Sequence, residues 1–337
     1  MRKRNKTIRC AVVGYGGAFN MGRGHANWIN QVPGMETVAA CDLDKARLKV
    51  AEQELPGIRT YSSLTRLLKD PEVDLCVIIT PHNLHAKQAI QCANAGKHVV
   101  VEKPMCITAA EATRMINAAK KHKVTLTVFH NRRHDGDFMA MRNLIQKGTI
   151  GDVFQIETGG GGYGHPGKWW RADKRISGGA FYDWGAHIVD WCLHLIPGKM
   201  ESVTGVFQKR VWKDVTNEDH ILALIRFANG ATAEIQMSNL AAAPRPRWRI
   251  LGTKGAILDE GGGKSFKVFG SMDGIRATAE VRHYESDWDA YYKNLGAHLL
   301  KGAPLEVTPE SARRVIAVIE AAEKSWKSGK AEKVPFE

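Results

Sequence analysis

"AVVGYGGAFNMGRGHANW", residues 11–28, runs from a β-branched apolar stretch through a glycine-rich turn into a helix-like segment. That order is what a phosphate-binding loop requires. Gly14 permits the tight bend after a strand, Gly16 lets a pyrophosphate approach the backbone, and the helix N-terminus that follows favours negative charge. The spacing places a third glycine at position 19, where Phe19 stands. Gly22 fills that role if "AFN" is a three-residue insertion that lengthens the loop. A Gly-x-Gly alone is weak, because glycine turns follow many strands; the strand before it and the helix after it strengthen the reading.

The same alternation continues outward from this loop. "IRCAVVGYG", "TVAACD", "DLCVIITP", "KHVVVEKP" and "TLTVFHN" are short β-rich runs, separated by amphipathic stretches such as "DKARLKVAEQEL" and "AAEATRMINAAKKHK". Strands alternating with helices of this length predict βαβ units and a parallel sheet covered on both faces. Asp42 ends the second run, where a carboxylate accepts hydrogen bonds from an adenosine ribose and repels a 2′-phosphate, favouring NAD over NADP. Lys45 and Arg47 leave room for NADP, and the other reading of Asp42 is the N-cap of the next helix. In "IITPHNLHAKQAI", Thr80, Pro81, Asn83 and His85 stand at a strand's carboxyl edge, beside the crevice where ligands bind; Thr80 or Asn83 as a helix cap is the alternative.

After about residue 150 the texture changes to strands joined by turns, among them "FANGATAEI" with its Asn-Gly hairpin signal. The expectation is an α/β dinucleotide-binding domain over 1–127 and an α+β domain over 128–337. The second has an open, mostly antiparallel sheet and helices at 136–147, 179–195, 287–301 and 308–328. At 337 residues two domains are the natural prior. The formal charge of +13 lies in scattered pairs such as Lys120–Lys121, with no helix-turn-helix, zinc-finger or RNA-binding signature, so a nucleic-acid partner is not expected. No apolar run is long enough to span a membrane, and the basic start "MRKRNKTIRC" leads into a first strand and not a signal-peptide core. Six cysteines without Cys-x-x-Cys pairing, mostly in apolar runs, are the usage of a reducing cytoplasm.

"GKHVVVEKPMC", residues 96–106, ends three valines on Glu102, Lys103 and Pro104. A lysine at the carboxyl end of a central strand is placed to hydrogen-bond a substrate oxygen and steady an alkoxide during hydride transfer. The plain alternative is a surface lysine in a βα loop. The Lys103–Pro104 bond is a candidate cis peptide. In "GGAFYDWGAHIVDWCLHLI" the spacing puts Asp183, His187, Asp190 and His194 on one helical stripe, opposite Phe181, Trp184, Ile188, Cys192, Leu195 and Ile196. Three readings compete for that stripe: a metal site, a structural polar network involving Asp190 and His194, and an acid–base pair of His187 and Asp183, which is favoured.

These pieces, with His25, "HNRRHDGDFMAMRNLIQKGTIGDV" and "ILGTKGAILDEG", resemble the glucose–fructose oxidoreductase, inositol dehydrogenase and MocA (Gfo/Idh/MocA) family from about residue 7 to about residue 330. The resemblance implies a Rossmann domain followed by an open-faced sheet that forms homodimer or homotetramer interfaces. It implies catalytic roles for Lys103, Asp183 and His187. Implied cofactor contacts fall on Gly14, Gly16, Asp42, Thr80, Pro81, Asn83, His85, Glu102 and Lys103. Gly17, Phe19, Asn20, Met21, Arg47, Asn131, Trp170 and Arg171 complete the candidate cofactor set. The unusual "GGGGYGHPGKWW" lead-in adds Tyr163, His165 and Trp169 as candidate substrate contacts, with Asn131 and Arg132; Trp169 and Trp170 as interface packing is an equal alternative. The expected activity is NAD-dependent oxidation of a secondary hydroxyl of a sugar, glycoside or cyclic polyol, with no metal. A glycosidase or lyase using transient oxidation by NAD, and a non-catalytic NAD-binding sensor, stay open as rivals.

Overall fold

The protein, described over residues 7–337 by a computed structural model, divides into two compact units; the basic start at residues 1–6 lies outside this description. The first unit comprises the chain to Asn131 together with Asp289–Arg313, and the second comprises Arg132–Trp288 with Arg314–Glu337.

In the first unit β1 (Ile8–Val13), β2 (Met35–Cys41), β3 (Arg59–Tyr61), β4 (Leu75–Ile78), β5 (His98–Val101) and β6 (Leu126–Val128) form one sheet in the order β3-β2-β1-β4-β5-β6. Every neighbouring pair is parallel. Such strands are covered on both faces, which is why they read as continuous apolar runs, and their Val, Ile and Cys side chains other than Val38 are buried. The connections carry α1 (Met21–Asn30), α2 (Lys45–Glu54), α3 (Leu64–Leu67), α4 (His82–Asn94) and α5 (Ala109–His122). α5 starts on a capping box, Thr108 accepting from the Glu111 amide and Glu111 from the Thr108 amide, each at 3.1 Å, and ends on Lys120, Lys121 and His122. Both ends suit the helix dipole.

The second unit carries α6 (Gly136–Gln146), β7 (Val153–Gly161), α7 (Lys174–Ser177), α8 (Trp184–Leu195), β8 (Met200–Gln208), β9 (His220–Phe227), β10 (Thr232–Ser238), β11 (Trp248–Gly252), β12 (Gly255–Asp259), β13 (Ser265–Met272) and β14 (Ile275–Arg282). After α9 (Ala290–Lys301), which belongs to the first unit, and α10 (Pro309–Ser328), the short β15 (Glu332–Lys333) completes a nine-stranded sheet. Its order is β14-β13-β12-β11-β7-β10-β9-β8-β15, antiparallel except for β7 and β10. The Asn229–Gly230 turn joins β9 to β10, with Gly230 at φ +84° as a tight hairpin requires. α8 packs against β7 and β10, over the buried Ile156, Ile235, Trp248 and Ile250. Residues of opposite parity stay open: Leu224 is exposed, and Arg245 and Arg249 pair with Glu157.

Candidate active site

In the first unit the glycine loop is shaped for a dinucleotide. Gly14, at φ +97°, donates to the Cys41 carbonyl at 2.8 Å, and a Cβ there would meet the Ile79 carbonyl oxygen at 3.0 Å. A Cβ on Gly16 would meet nothing within 4 Å, so open space lies above that backbone where a pyrophosphate is expected. A Cβ on Gly22 would lie 2.7 Å from the buried Tyr15 ring, so Gly22 allows the close packing of α1 that a third glycine provides. The inserted residues include Asn20, which begins α1 in the left-handed region without a side-chain cap, and the first turn has no acidic residue. The helix therefore presents uncapped amides, a fitting cradle for phosphate.

Asp42 is not the cap of α2. Asp44 is, accepting from the Ala46 amide at 2.8 Å. Asp42 accepts instead from the Tyr15 amide at 2.6 Å and the Asp44 amide at 2.9 Å, so it braces the loop from the end of β2. Arg47 donates to the Tyr15 carbonyl at 2.7 Å, and its guanidinium lies beside Gly17. Neither Thr80 nor Asn83 caps α4: Pro81 holds that position, the Thr80 hydroxyl donates to Gln88 at 2.6 Å, and Asn83 is exposed. His85 is fully buried, its ring nitrogens 2.7 Å from the Thr80 carbonyl and 2.8 Å from the Pro104 carbonyl. It holds the end of β4 to the segment that follows Lys103.

Lys103 stands just beyond β5, and its bond to Pro104 is cis. Behind it lies a buried relay that the sequence did not announce. His25 of α1 is fully buried, with Nδ1 2.6 Å from the Tyr292 hydroxyl of α9 and Nε2 3.1 Å from Glu102 Oε1. Glu102 Oε2 accepts the Lys103 amide at 2.9 Å. Burial pushes the Tyr292 phenol well above its usual pKa. Burial alone would raise the Glu102 carboxyl, but the His25 hydrogen bond and the nearby Lys103 charge outweigh it and hold it below the usual range. A depressed carboxylate stabilises the fold above about pH 4.5, and that stability is lost as the pH falls through the folded value. His25→Ala removes the compensating donor, so burial then dominates Glu102. The expected result is a loss of about 1.5–3 kcal/mol at neutral pH that shrinks on acidification, read from urea midpoints between about pH 4 and pH 7.

The second unit supplies a cavity of about 490 Å³ whose wall includes Asp183, Trp169, Trp184, Trp191, Asn217 and Arg247. Asp183 occupies the N-cap position of α8 without a side-chain cap bond to that helix. His187, one turn on, is 4% exposed, its ring stacked on Trp191 with centroids 6.2 Å apart and edge-on to Trp184 at 5.7 Å. Trp191 is held by its indole N–H, which donates to the Arg132 carbonyl at 2.9 Å. Asp190 belongs elsewhere: it takes two hydrogen bonds from the buried Arg133 guanidinium, at 2.6 and 2.8 Å, with His194 at 3.9 Å. The stripe thus divides into Asp183 on the cavity wall, His187 packed against Trp184 and Trp191 and not part of that wall, and a structural ion pair at Asp190; no metal-holding cluster exists among the described residues.

The glycine-rich lead-in divides as well. Trp169, Arg171 and Pro166 line the cavity, with the Arg171 guanidinium 5.1 and 4.8 Å from the Trp169 and Trp170 ring centres. Tyr163 and His165 pack on Trp212, and His165 meets Asp214 at 3.0 Å. Arg132 lies over Trp184 at 4.6 Å and pairs with Asp135. Asn131, 8% exposed, opens the short turn that leads to Arg132. Asn217, Glu218 and Arg247 were not foreseen. Glu218 accepts from Lys174 at 2.5 Å and from the Ala180 amide at 3.1 Å, bracing the turn into α8, and the polar run "TNED" between two strands was its only signal.

Residues 8–130 match the family described as "Oxidoreductase family, NAD-binding Rossmann fold", and residues 138–258 match its "GFO/IDH/MocA C-terminal domain". The chain belongs to the Gfo/Idh/MocA oxidoreductases. Relatives in this family include scyllo-inositol 2-dehydrogenase (NADP(+)) of Bacillus subtilis, 27% identical over 97% of this chain and 96% of that protein. Myo-inositol 2-dehydrogenase of Thermotoga maritima is 27% identical over 94% of this chain and 96% of that protein. Among solved structures, an NAD-binding protein from Listeria innocua superposes with a TM-score of 0.86 at 27% identity, covering 98% of each chain. The WlbA dehydrogenase of Bordetella pertussis, in complex with NADH and UDP-GlcNAcA, gives 0.82 at 26% identity, covering 98% of this chain and all of that one. This Gfo/Idh/MocA oxidoreductase therefore has an NAD(P)-binding Rossmann domain followed by the family's mixed, mostly antiparallel sheet.

Proposed function

We propose that the protein is an NAD-dependent dehydrogenase that oxidises a secondary hydroxyl of a sugar, glycoside or cyclic polyol, reversibly. The observation that carries this reading is the cavity beside α8. Trp169, Trp184 and Trp191 line it together with Asp183, Asn217 and Arg247. Apolar walls with a few placed polar groups suit a ring whose C–H faces stack and whose hydroxyls hydrogen-bond. The two inositol dehydrogenase relatives act on such rings by their names.

In this reading His187 takes the hydroxyl proton, Lys103 donates a hydrogen bond to the same oxygen as negative charge develops on it, and Asp183 accepts from a neighbouring hydroxyl. A nicotinamide dinucleotide, when bound, supplies the hydride acceptor. Gly14, Gly16, Asp42 and the uncapped start of α1 would hold it in the first unit. Absorbance of the reduced cofactor across a panel of monosaccharides and cyclic polyols tests the activity; no reduction with any of them, despite saturable NAD binding, would reject it.

Asp42 is the proposed reason for the choice of NAD over NADP. Asp42→Ala removes both the ribose acceptor and the brace on the Tyr15 amide, while Arg47 remains to meet a phosphate. The expected outcome is an NAD affinity lower by about tenfold, the worth of one charge-assisted hydrogen bond, with NADP weakened less. Cofactor titration by fluorescence checks it.

A further inference from the structure

A second, smaller cavity in the second unit, about 250 Å³, shares Arg247 with the first. It is built from β12's end, the Gly261–Gly263 turn, the start of α6 and the segment His283–Trp288. Most of its charges are satisfied by one another. Arg132 pairs with Asp135 at 2.9 Å, Arg247 with Asp137 at 2.8 Å, and the Trp288 indole N–H donates to Asp135 at 2.7 Å.

Three buried polar atoms are not satisfied among the described residues. Asp259, 1% exposed, accepts from the Gly261 amide through Oδ1, but Oδ2 has no hydrogen-bond partner. His283 Nε2 stands 3.4 Å from that oxygen without a hydrogen bond, and Arg247 Nε is open too. Buried polar atoms left in this state are costly, more so for a charged group, so their presence together beside a cavity points to a ligand or ordered water that completes them.

The open valences select the ligand's chemistry. An anion would meet the Asp259 carboxylate, and a cation would meet the Arg247 guanidinium. A neutral molecule with adjacent hydroxyls suits both: one hydroxyl donates to Asp259 Oδ2 and accepts from His283 Nε2–H, and its neighbour accepts from Arg247 Nε. The volume admits a single six-membered ring, and Tyr284 and Trp288 supply aromatic wall. We propose that this cavity is a second binding site, for a neutral monosaccharide or cyclic polyol, separate from the cavity at Asp183. It stands on the three open atoms and does not depend on the dehydrogenase reading.

The test is calorimetric titration of the full-length protein with myo-inositol and with D-glucose, in wild type, Asp183→Ala and Asp259→Asn. The expected result is a binding event that survives Asp183→Ala and weakens roughly tenfold to a hundredfold in Asp259→Asn, as loss of a charged hydrogen-bond acceptor implies. Turnover of an oxidised polyol is expected to be unchanged in Asp259→Asn. His283→Ala is the second variant if Asp259→Asn lowers the melting temperature. A soaked crystal should show a ring contacting Asp259 Oδ2. Binding abolished by Asp183→Ala alone, ordered water only in the soaked cavity, or Asp259-dependent uptake of sulfate in place of the neutral ring would each overturn the proposal. Absence of turnover with every polyol, while Asp259-sensitive binding persists, would remove the dehydrogenase reading and leave this site in place.

Discussion

Lys103→Ala is expected to lower kcat for polyol oxidation by about 10²–10³-fold, the usual cost of deleting a donor aimed at a developing oxyanion. Dinucleotide affinity should stay close to wild type, because the glycine loop, Asp42 and the start of α1 are untouched. The side chain follows three buried valines, and its main-chain amide is anchored to Glu102, itself held by His25, whose other ring nitrogen meets Tyr292. Such anchoring limits the freedom that a four-carbon stem would otherwise bring, and orientation is what converts a surface cation into a useful donor. Lys103→Arg is not expected to restore the rate, since a planar fork replaces a point charge. Stopped-flow absorbance of the reduced cofactor separates the chemical step from product release. Undiminished turnover in Lys103→Ala would remove the assignment.

The largest stability effect is expected at Asp190. Its carboxylate accepts from Nε and Nη2 of the buried Arg133 guanidinium, and the two side chains are 4% and 1% exposed. Asp190→Ala leaves a guanidinium buried without its counter-charge, a loss of about 3–5 kcal/mol. The double variant Arg133→Met/Asp190→Leu removes both charges and should recover most of it. Urea denaturation of the three proteins checks the order; equal midpoints in Asp190→Ala and wild type would show that Arg133 finds another partner at no cost.

Sequence patterns that arise from short-range physics were legible here, and those set by long-range return of the chain were not. Five apolar runs alternating with amphipathic stretches were enough to expect the parallel sheet, because both faces of such a sheet must be covered. Gly22 was readable as the displaced third glycine, since helix against strand leaves no room for a Cβ. The cap of α2 was not, because Asp42 and Asp44 are equivalent on a pattern and only the loop amide of Tyr15 decides between them. The stripe on α8 was visible, and a structural network at Asp190 and His194 was among its readings, but the partner was not: Arg133 lies 57 residues from Asp190 in the chain, so no helical wheel includes it. Likewise nothing in "DWDAYYKNLGAHLL" shows that Tyr292 reaches His25, 267 positions earlier.

That distant return bears on how the molecule is made. During synthesis the sheet of the dinucleotide half is complete once Val128 has left the ribosome, yet its packing against Phe129 and His25 waits for Tyr291, Tyr292 and Leu295. For about 160 residues of translation, roughly eight to thirty seconds at about 5–20 residues per second, His25 and Phe129 lack these partners. The dinucleotide half thus reaches its final packing late in synthesis, after most of the second half has been made.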